Sequence, residues 1–191
     1  REHAFAAIEA FLASGVRGRF SFGPPNDPVE IDRESLLEAR SRWFTNQKSG
    51  RWYTSDGRVH LGLATRAVEF GLPEVWASEF VFGRENGLPL TAHCYGGAIK
   101  QLHDAGHLRP DLLPIHADHA SPEEIDMLAA FGGSLCVAPV ALARAGIGRS
   151  PVTELRDAGV PLCLSIDSTA GTDTTDMFQV MRVTLMIERA V

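Results

Sequence analysis

The chain of 191 residues lacks most of the features that would assign a function quickly. It has no uninterrupted apolar run near the roughly 18 residues of a membrane span, so no transmembrane helix is expected. It has no basic surplus either. Its formal charge of −6 argues against a general affinity for nucleic acid or for an acidic membrane. Cysteine is scarce: Cys94, Cys136 and Cys163 are the three, none in a CxxC spacing. Each lies inside or at the end of an expected strand, so all three read as small buried side chains in a reducing compartment, which implies the cytoplasm. There is no Walker sequence and no GxGxxG after the first strand. The GxG in Ala145-Gly146-Ile147-Gly148-Arg149-Ser150 is not entered directly from a strand and reads as an ordinary connection. No linker or low-complexity stretch divides the chain. With 45% hydrophobic residues, one domain over 1–191 is the simplest expectation.

What is present is an alternation of helical and strand patterns. Ala4 to Ser14 is helical with Phe5, Ile8 and Leu12 on one face, and Val16 to Phe22 alternates as a strand. Arg33 to Asn46 predicts a helix, His60 to Ala67 a strand and Pro73 to Asn86 a helix closed by Gly87. Leu90 to Cys94 predicts a strand, Gly97 to Ala105 a helix and Leu112 to Ala117 a strand. The next helix has the clearest start in the chain: Ser121 as N-cap, Pro122 at the first helical position and Glu124 completing a capping box. Ser134 to Ala138 and Pro161 to Asp167 are the last strands, with a short helix near Pro151 to Ala158 between them and a final helix over Thr174 to Arg189. Six strands separated by helical segments imply parallel βαβ units. They suit an open doubly wound sheet or three-quarters of an eight-unit barrel, and periodicity does not choose between them.

Three strands end in a polar residue: His93 after Leu90-Thr91-Ala92, His116 after Leu112-Leu113-Pro114-Ile115, and Asp167 after Leu162-Cys163-Leu164-Ser165-Ile166. The carboxyl ends of parallel strands face one common mouth, so these three side chains are expected to converge there. Taken singly, each has a plain structural explanation as a hydrogen-bonded strand end or a turn cap. Taken together, two imidazoles and a carboxylate are standard zinc ligands, and an Asp beside a metal can accept a proton from water. His60 starts a strand and so belongs to the opposite rim, while His3, His103 and His107 fall on helices or their ends and are expected to be solvated.

The motifs around these positions resemble the amidohydrolase superfamily, in particular its branch of cytosine deaminases, chlorohydrolases and adenosine-analogue deaminases. His116-Ala117-Asp118-His119-Ala120-Ser121-Pro122-Glu123-Glu124-Ile125 is similar to that branch's His-Cys-x-His-x-(Ser/Thr)-x-Glu-Glu-(Ile/Leu) segment. Gly148 to Val152, Leu155 and Ala158-Gly159-Val160 resemble its Gly-x-x-Pro-Val, Leu and Ala-Gly-Val pattern. Ser165-Ile166-Asp167, Asp176-Met177-Phe178 and Met181-Arg182 resemble Gly-Thr-Asp, Asp-Met-Phe and Met-Arg.

The resemblance implies an α/β fold, a TIM-type (β/α)8 barrel of which this chain supplies about strands three to eight. It implies His93 as a metal ligand on the fifth strand, His116 as a ligand or polarising group on the sixth, and Asp167 as metal ligand and general base on the eighth. One divalent metal is implied, zinc first and iron or manganese as alternatives. The implied reaction is hydrolysis of a non-peptide C–N bond (amide, cyclic amide or deamination) in a small molecule. Tyr95, His119, Arg66 and Asn26 are the expected substrate contacts, each with ordinary loop surface as its plain alternative.

Two departures from the branch's pattern stand out. His93-Cys94-Tyr95-Gly96 has Gly where the branch carries a Glu three residues after the fifth-strand His, and no two histidines anywhere are one residue apart, so the first-strand His-x-His is absent. The expectation is therefore a partial barrel, lacking strands one and two and the flanking β-sandwich, that associates with a second copy or with the rest of the barrel. A non-catalytic relative that has lost its metal and serves as a binding or scaffold module is the alternative.

Overall fold

The computed structural model describes residues 1–24, 30–65 and 67–190. Among them the chain forms two compact units, Arg1–Arg66 with Phe70–Thr91, and Ala67–Glu69 with Ala92–Val191.

The first unit begins with α1 (Glu2–Ala13), which buries Phe5 and Ile8, followed by β1 (Gly18–Phe22) and α2 (Arg33–Trp43). Asp32 caps α2 by accepting the Ser35 N–H at 2.9 Å, the geometry expected of an acidic N-cap. The expected second helix stops at Trp43 because the chain turns into a hairpin that the periodicity does not announce: β2 (Asn46–Lys48) and β3 (Arg51–Tyr53), antiparallel. Ser49 and Gly50 make its two-residue turn with φ of +50° and +75°, the left-handed pair that matches strand twist. β4 (Val59–Thr65) pairs antiparallel with β3 through Tyr53 and His60, and parallel with β1 from Gly18↔Val59 to Phe22↔Leu63. α3 (Pro73–Glu85) then packs Trp76 and Phe80 into a core that includes Leu36, Leu61 and Leu63. Glu79 is buried there and accepts the Ile31 N–H at 3.1 Å.

β5 (Leu90–Cys94) contributes its first two residues to the first unit and its last three to the second. The second unit continues with α4 (Ala98–Asp104), β6 (Leu112–His116), α5 (Pro122–Ala130), β7 (Leu135–Val137), α6 (Pro139–Ala145), α7 (Val152–Asp157), β8 (Leu162–Leu164), a single turn α8 (Thr169–Thr172) and α9 (Met177–Arg189). Strand order follows chain order from β5 to β8. β6, β7 and β8 are parallel, in register through Ile115↔Cys136 and Cys136↔Cys163, so their carboxyl ends share one rim. The expected capping box is present: Ser121 Oγ accepts the Glu124 N–H at 3.2 Å and Glu124 Oε2 accepts the Ser121 N–H at 3.1 Å. Glu124 is buried and its other oxygen accepts the Lys100 N–H at 3.2 Å, tying α4 to α5.

Two expectations are corrected. Pro139 follows β7 and opens α6, a helix that the sequence pattern does not announce. Cys163 is exposed, whereas Cys94 and Cys136 are buried. Arg144 and Arg149 are ion-paired: Arg144 with Asp173 at 2.6 Å, Arg149 with Glu154 and with Glu188 at 3.1 Å. No helix among the described residues is long and apolar enough to cross a membrane.

Candidate functional site

The second unit brings His93 and His116 together. His116 is the last residue of β6 and His93 the last but one of β5, and their Nε2 and Nδ1 atoms lie 3.1 Å apart. The two strand ends are joined by the backbone, with the Ala117 N–H donating to the Cys94 carbonyl at 2.8 Å. His93 is exposed, but His116 is only 2% exposed. The pair therefore has an open partner and a sealed one.

Tyr95 covers one face of His116. Its ring lies nearly parallel to His116, with centroids 5.1 Å apart and planes at 17°, and stacks more loosely on His93 at 6.5 Å and 20°. Burial lowers the His116 pKa, with the nearby His93 acting in the same direction and the Asp167 charge opposing both. Burial raises that of Tyr95, aided by the negative charges of Asp167, Glu69 and Asp118. Both groups are thus held neutral around pH 7.

The backbone beyond β6 is unusual. His116, Ala117 and His119 all have left-handed φ values, +79°, +52° and +59°. Each such conformation in a non-glycine residue costs about 1–2 kcal/mol, so the turn is held by its surroundings. It sends Asp118 inward, where the side chain is fully buried. Ser150 Oγ donates to Asp118 Oδ1 at 3.1 Å, and Asp118 Oδ2 faces His116 Nδ1 at 3.7 Å. Burial raises the Asp118 pKa, opposed chiefly by the Ser150 hydrogen bond.

Asp167 follows the end of β8, exposed and also left-handed at φ +63°. Its charge acts on Tyr95, His116 and Asp118, yet the described residues contain no group of three His, Cys, Asp or Glu side chains able to hold a metal ion. His119 is exposed and turns to the loop after α6, its Nε2 within 3.1 Å of the Ile147 carbonyl. Asn26 and Arg66 lie outside the described residues. His60 sits near the start of β4, not its end, and His3 and His103 are exposed on α1 and α4. Asp118 was missed by sequence reasoning: an acid inside His-Ala-Asp-His-Ala-Ser looks like a solvated turn, and only the fold shows that it is buried.

No known family profile matches the chain. Curated proteins do. Over 195 residues it is 32% identical to the 8-oxoguanine deaminase of Pseudomonas aeruginosa, covering 91% of this chain and 42% of that protein. Over 206 residues it is 30% identical to the 5-methylthioadenosine/S-adenosylhomocysteine deaminase of Pyrococcus furiosus, covering 98% and 47%. Among solved structures it is similar to an adenosine deaminase of Xanthomonas campestris with bound zinc, with a TM-score of 0.81 at 17% identity over 98% of this chain and 45% of that one. The chain is a homologue of the amidohydrolase superfamily. It spans less than half the length of the relatives it matches.

The likeness to that solved structure gives the fold: an α/β barrel, of which this chain carries a part. A catalytic zinc takes three protein ligands. Two ring nitrogens 3.1 Å apart can form one edge of such a ligand set, since nitrogens each about 2.0–2.1 Å from one zinc lie roughly that far from each other. The third donor is not among the clusters of the described residues. These side chains alone do not complete a zinc site.

Proposed function

We propose that this amidohydrolase-superfamily chain belongs to a hydrolase that cleaves a non-peptide carbon–nitrogen bond of a small cyclic molecule. The observation that carries the proposal is the His93–His116 pair at the strand ends, in a chain whose named relatives are deaminases. In this reading the two imidazoles form one side of the site, and Tyr95 walls His116 off from water. Asp167, exposed at the same strand ends, is the base. It accepts a proton as water adds to the carbon bearing nitrogen; the C–N bond then breaks and the nitrogen leaves with a proton. His119 and Tyr95 are the proposed substrate contacts, joined by Asn26 and Arg66.

A single divalent metal, zinc by the example of the bound zinc in the similar solved structure, is part of the proposal. His93 and His116 are its proposed donors from this chain, with Asp167 as a third only if its carboxylate moves to them. The remaining donors are proposed to lie in the part of the relatives' length that this chain does not span. The occupant is a small molecule, and the site is proposed to be completed by the rest of the barrel or by a second copy.

The test uses the protein at the full length of its relatives. Asp167→Asn is expected to lower turnover of cyclic amides or aminated heterocycles about 10²–10⁴-fold, the usual worth of a general base. Turnover unchanged by that substitution overturns the assignment. Metal analysis is expected to find about one zinc per chain, lost on His93→Ala. A protein with far less than one metal per chain favours a second reading, a non-catalytic binding or scaffold relative. That reading is motivated by the incomplete donor set and by Gly96 in place of an acid.

A further inference from the structure

His116 Nδ1 and Asp118 Oδ2 are both sealed from water, and neither has a hydrogen-bond partner. They face each other at 3.7 Å, and the two side chains are 3% and 0% exposed. That separation is too long for a hydrogen bond, but a shift of well under 1 Å would close it. The other Asp118 oxygen is already occupied by the Ser150 hydroxyl at 3.1 Å, and Ser150 is itself fully buried. Asp118 is therefore fixed at one end and aimed at one atom.

A carboxylate oxygen is acceptor-only, and a neutral imidazole carries its proton on one nitrogen. If His116 Nδ1 held the lone pair, two acceptors would confront each other where no water reaches. With the proton on Nδ1 the contact becomes a donor–acceptor pair, and the two unpartnered atoms satisfy one another.

We propose that Asp118 is the positioning residue of His116: it holds the imidazole in its Nδ1–H tautomer, so that Nε2 presents a lone pair toward His93. The consequence extends one residue further. At 3.1 Å from that lone pair, His93 Nδ1 either carries a proton and donates it to His116, or faces the same cation as His116 Nε2. The first case leaves the lone pair of His93 on Nε2, and the second leaves it on Nδ1. The His116 tautomer is thus set by Asp118 in both cases, and the His93 tautomer reports whether a metal is bound. This separates the inference from the hydrolase proposal, which can fail without affecting it.

The experiment is nitrogen-15 NMR of the histidine side chains in the labelled protein at pH 8, with His116 assigned from its loss in His116→Gln. Two-bond couplings from the ring carbons distinguish the protonated nitrogen from the bare one. The expected result is a protonated Nδ1 in the wild type, kept in Asp118→Asn, whose carbonyl oxygen can still accept, and lost to a tautomer mixture in Asp118→Ala. A wild-type His116 protonated at Nε2 overturns the proposal, because it would mean that Asp118 is itself the donor. A His116 that stays fully Nδ1–H in a folded Asp118→Ala overturns it equally. Should Asp118→Ala not fold, Ser150→Ala is read in its place: it frees the other end of the carboxylate and is expected to broaden or split the His116 signal, and an unchanged signal counts against the proposal.

Discussion

The Tyr95 ring lies flat against His116, 5.1 Å between centroids, and is one reason a histidine at the end of a strand can be almost entirely buried. Such a stack contributes about 0.5–1.5 kcal/mol beyond the area it covers. Tyr95→Phe keeps the stack and is expected to change unfolding free energy by less than about 0.5 kcal/mol. Tyr95→Ala is expected to lose about 1–3 kcal/mol, since the ring is only half-buried. Chemical denaturation of both variants measures the difference, and equal stabilities would show that the ring is merely adjacent.

Thiol chemistry separates the three cysteines. Cys163 is exposed, whereas Cys94 is fully buried and burial raises its pKa strongly. Thiolate is the reactive form. One thiol per chain is expected to react rapidly with a chromogenic disulfide under native conditions, and three after denaturation. Cys163→Ser is expected to abolish the fast phase. A fast phase that survives this substitution would place the reactive thiol elsewhere.

His60 gives the first unit a pH dependence. Its pKa is lowered by burial first and then by the positive charges of Arg19 and Arg51. The folded state therefore takes up the proton less readily than the unfolded chain. Stability from this group is complete above the unfolded value of about 6.5 and falls as the solution is acidified through it. His60→Gln is expected to flatten the stability profile between about pH 7 and pH 5, measured by urea midpoints. An unchanged slope would mean that other groups set it.

Gly96 has room for a side chain. A Cβ there would meet only the His119 Cβ, at an ordinary 3.9 Å, and its φ is not among the positive ones. Gly96→Glu, the residue carried there by the branch that the sequence resembles, is expected to fold with a stability change within about 0.5 kcal/mol. It would place a carboxylate beside His119. A loss above about 2 kcal/mol would show that the space is closed by something the backbone alone does not reveal.

One face of α9 remains apolar and uncovered among the described residues: Phe178, Met181, Leu185 and Met186 are each more than half exposed. Three- and four-residue spacing places Phe178, Met181 and Leu185 along one stripe of the helix. Replacing Phe178 and Met186 by Glu together is expected to leave the thermal midpoint of the chain unchanged. A lower midpoint would mean that this stripe supports the unit's own fold.

The sequence was most legible where burial leaves a continuous signature. The runs that became β5 and β6 are mostly buried, and Ser121, Pro122 and Glu124 mark the α5 start by chemistry that acts within four residues. The β2–β3 hairpin was not legible because Asn46-Gln47-Lys48 is an exposed polar strand with nothing to alternate, leaving Ser49-Gly50 as its one clue. The meeting of His93 and His116 followed from strand direction alone, which fixes which ends share a rim. The inward turn of Asp118 did not, because it depends on the left-handed backbone of His116, Ala117 and His119 and on Ser150, distant in sequence.

Ala117 holds φ at +52°, a conformation glycine would adopt without strain. A methyl group there makes the corner less comfortable and less free at once. Ala117→Gly would relax the bend and let the imidazole before it and the acid after it wander in heading. Stiffness at that corner is thus obtained by giving up some stability, and a more stable version of this protein could prove the less exact one.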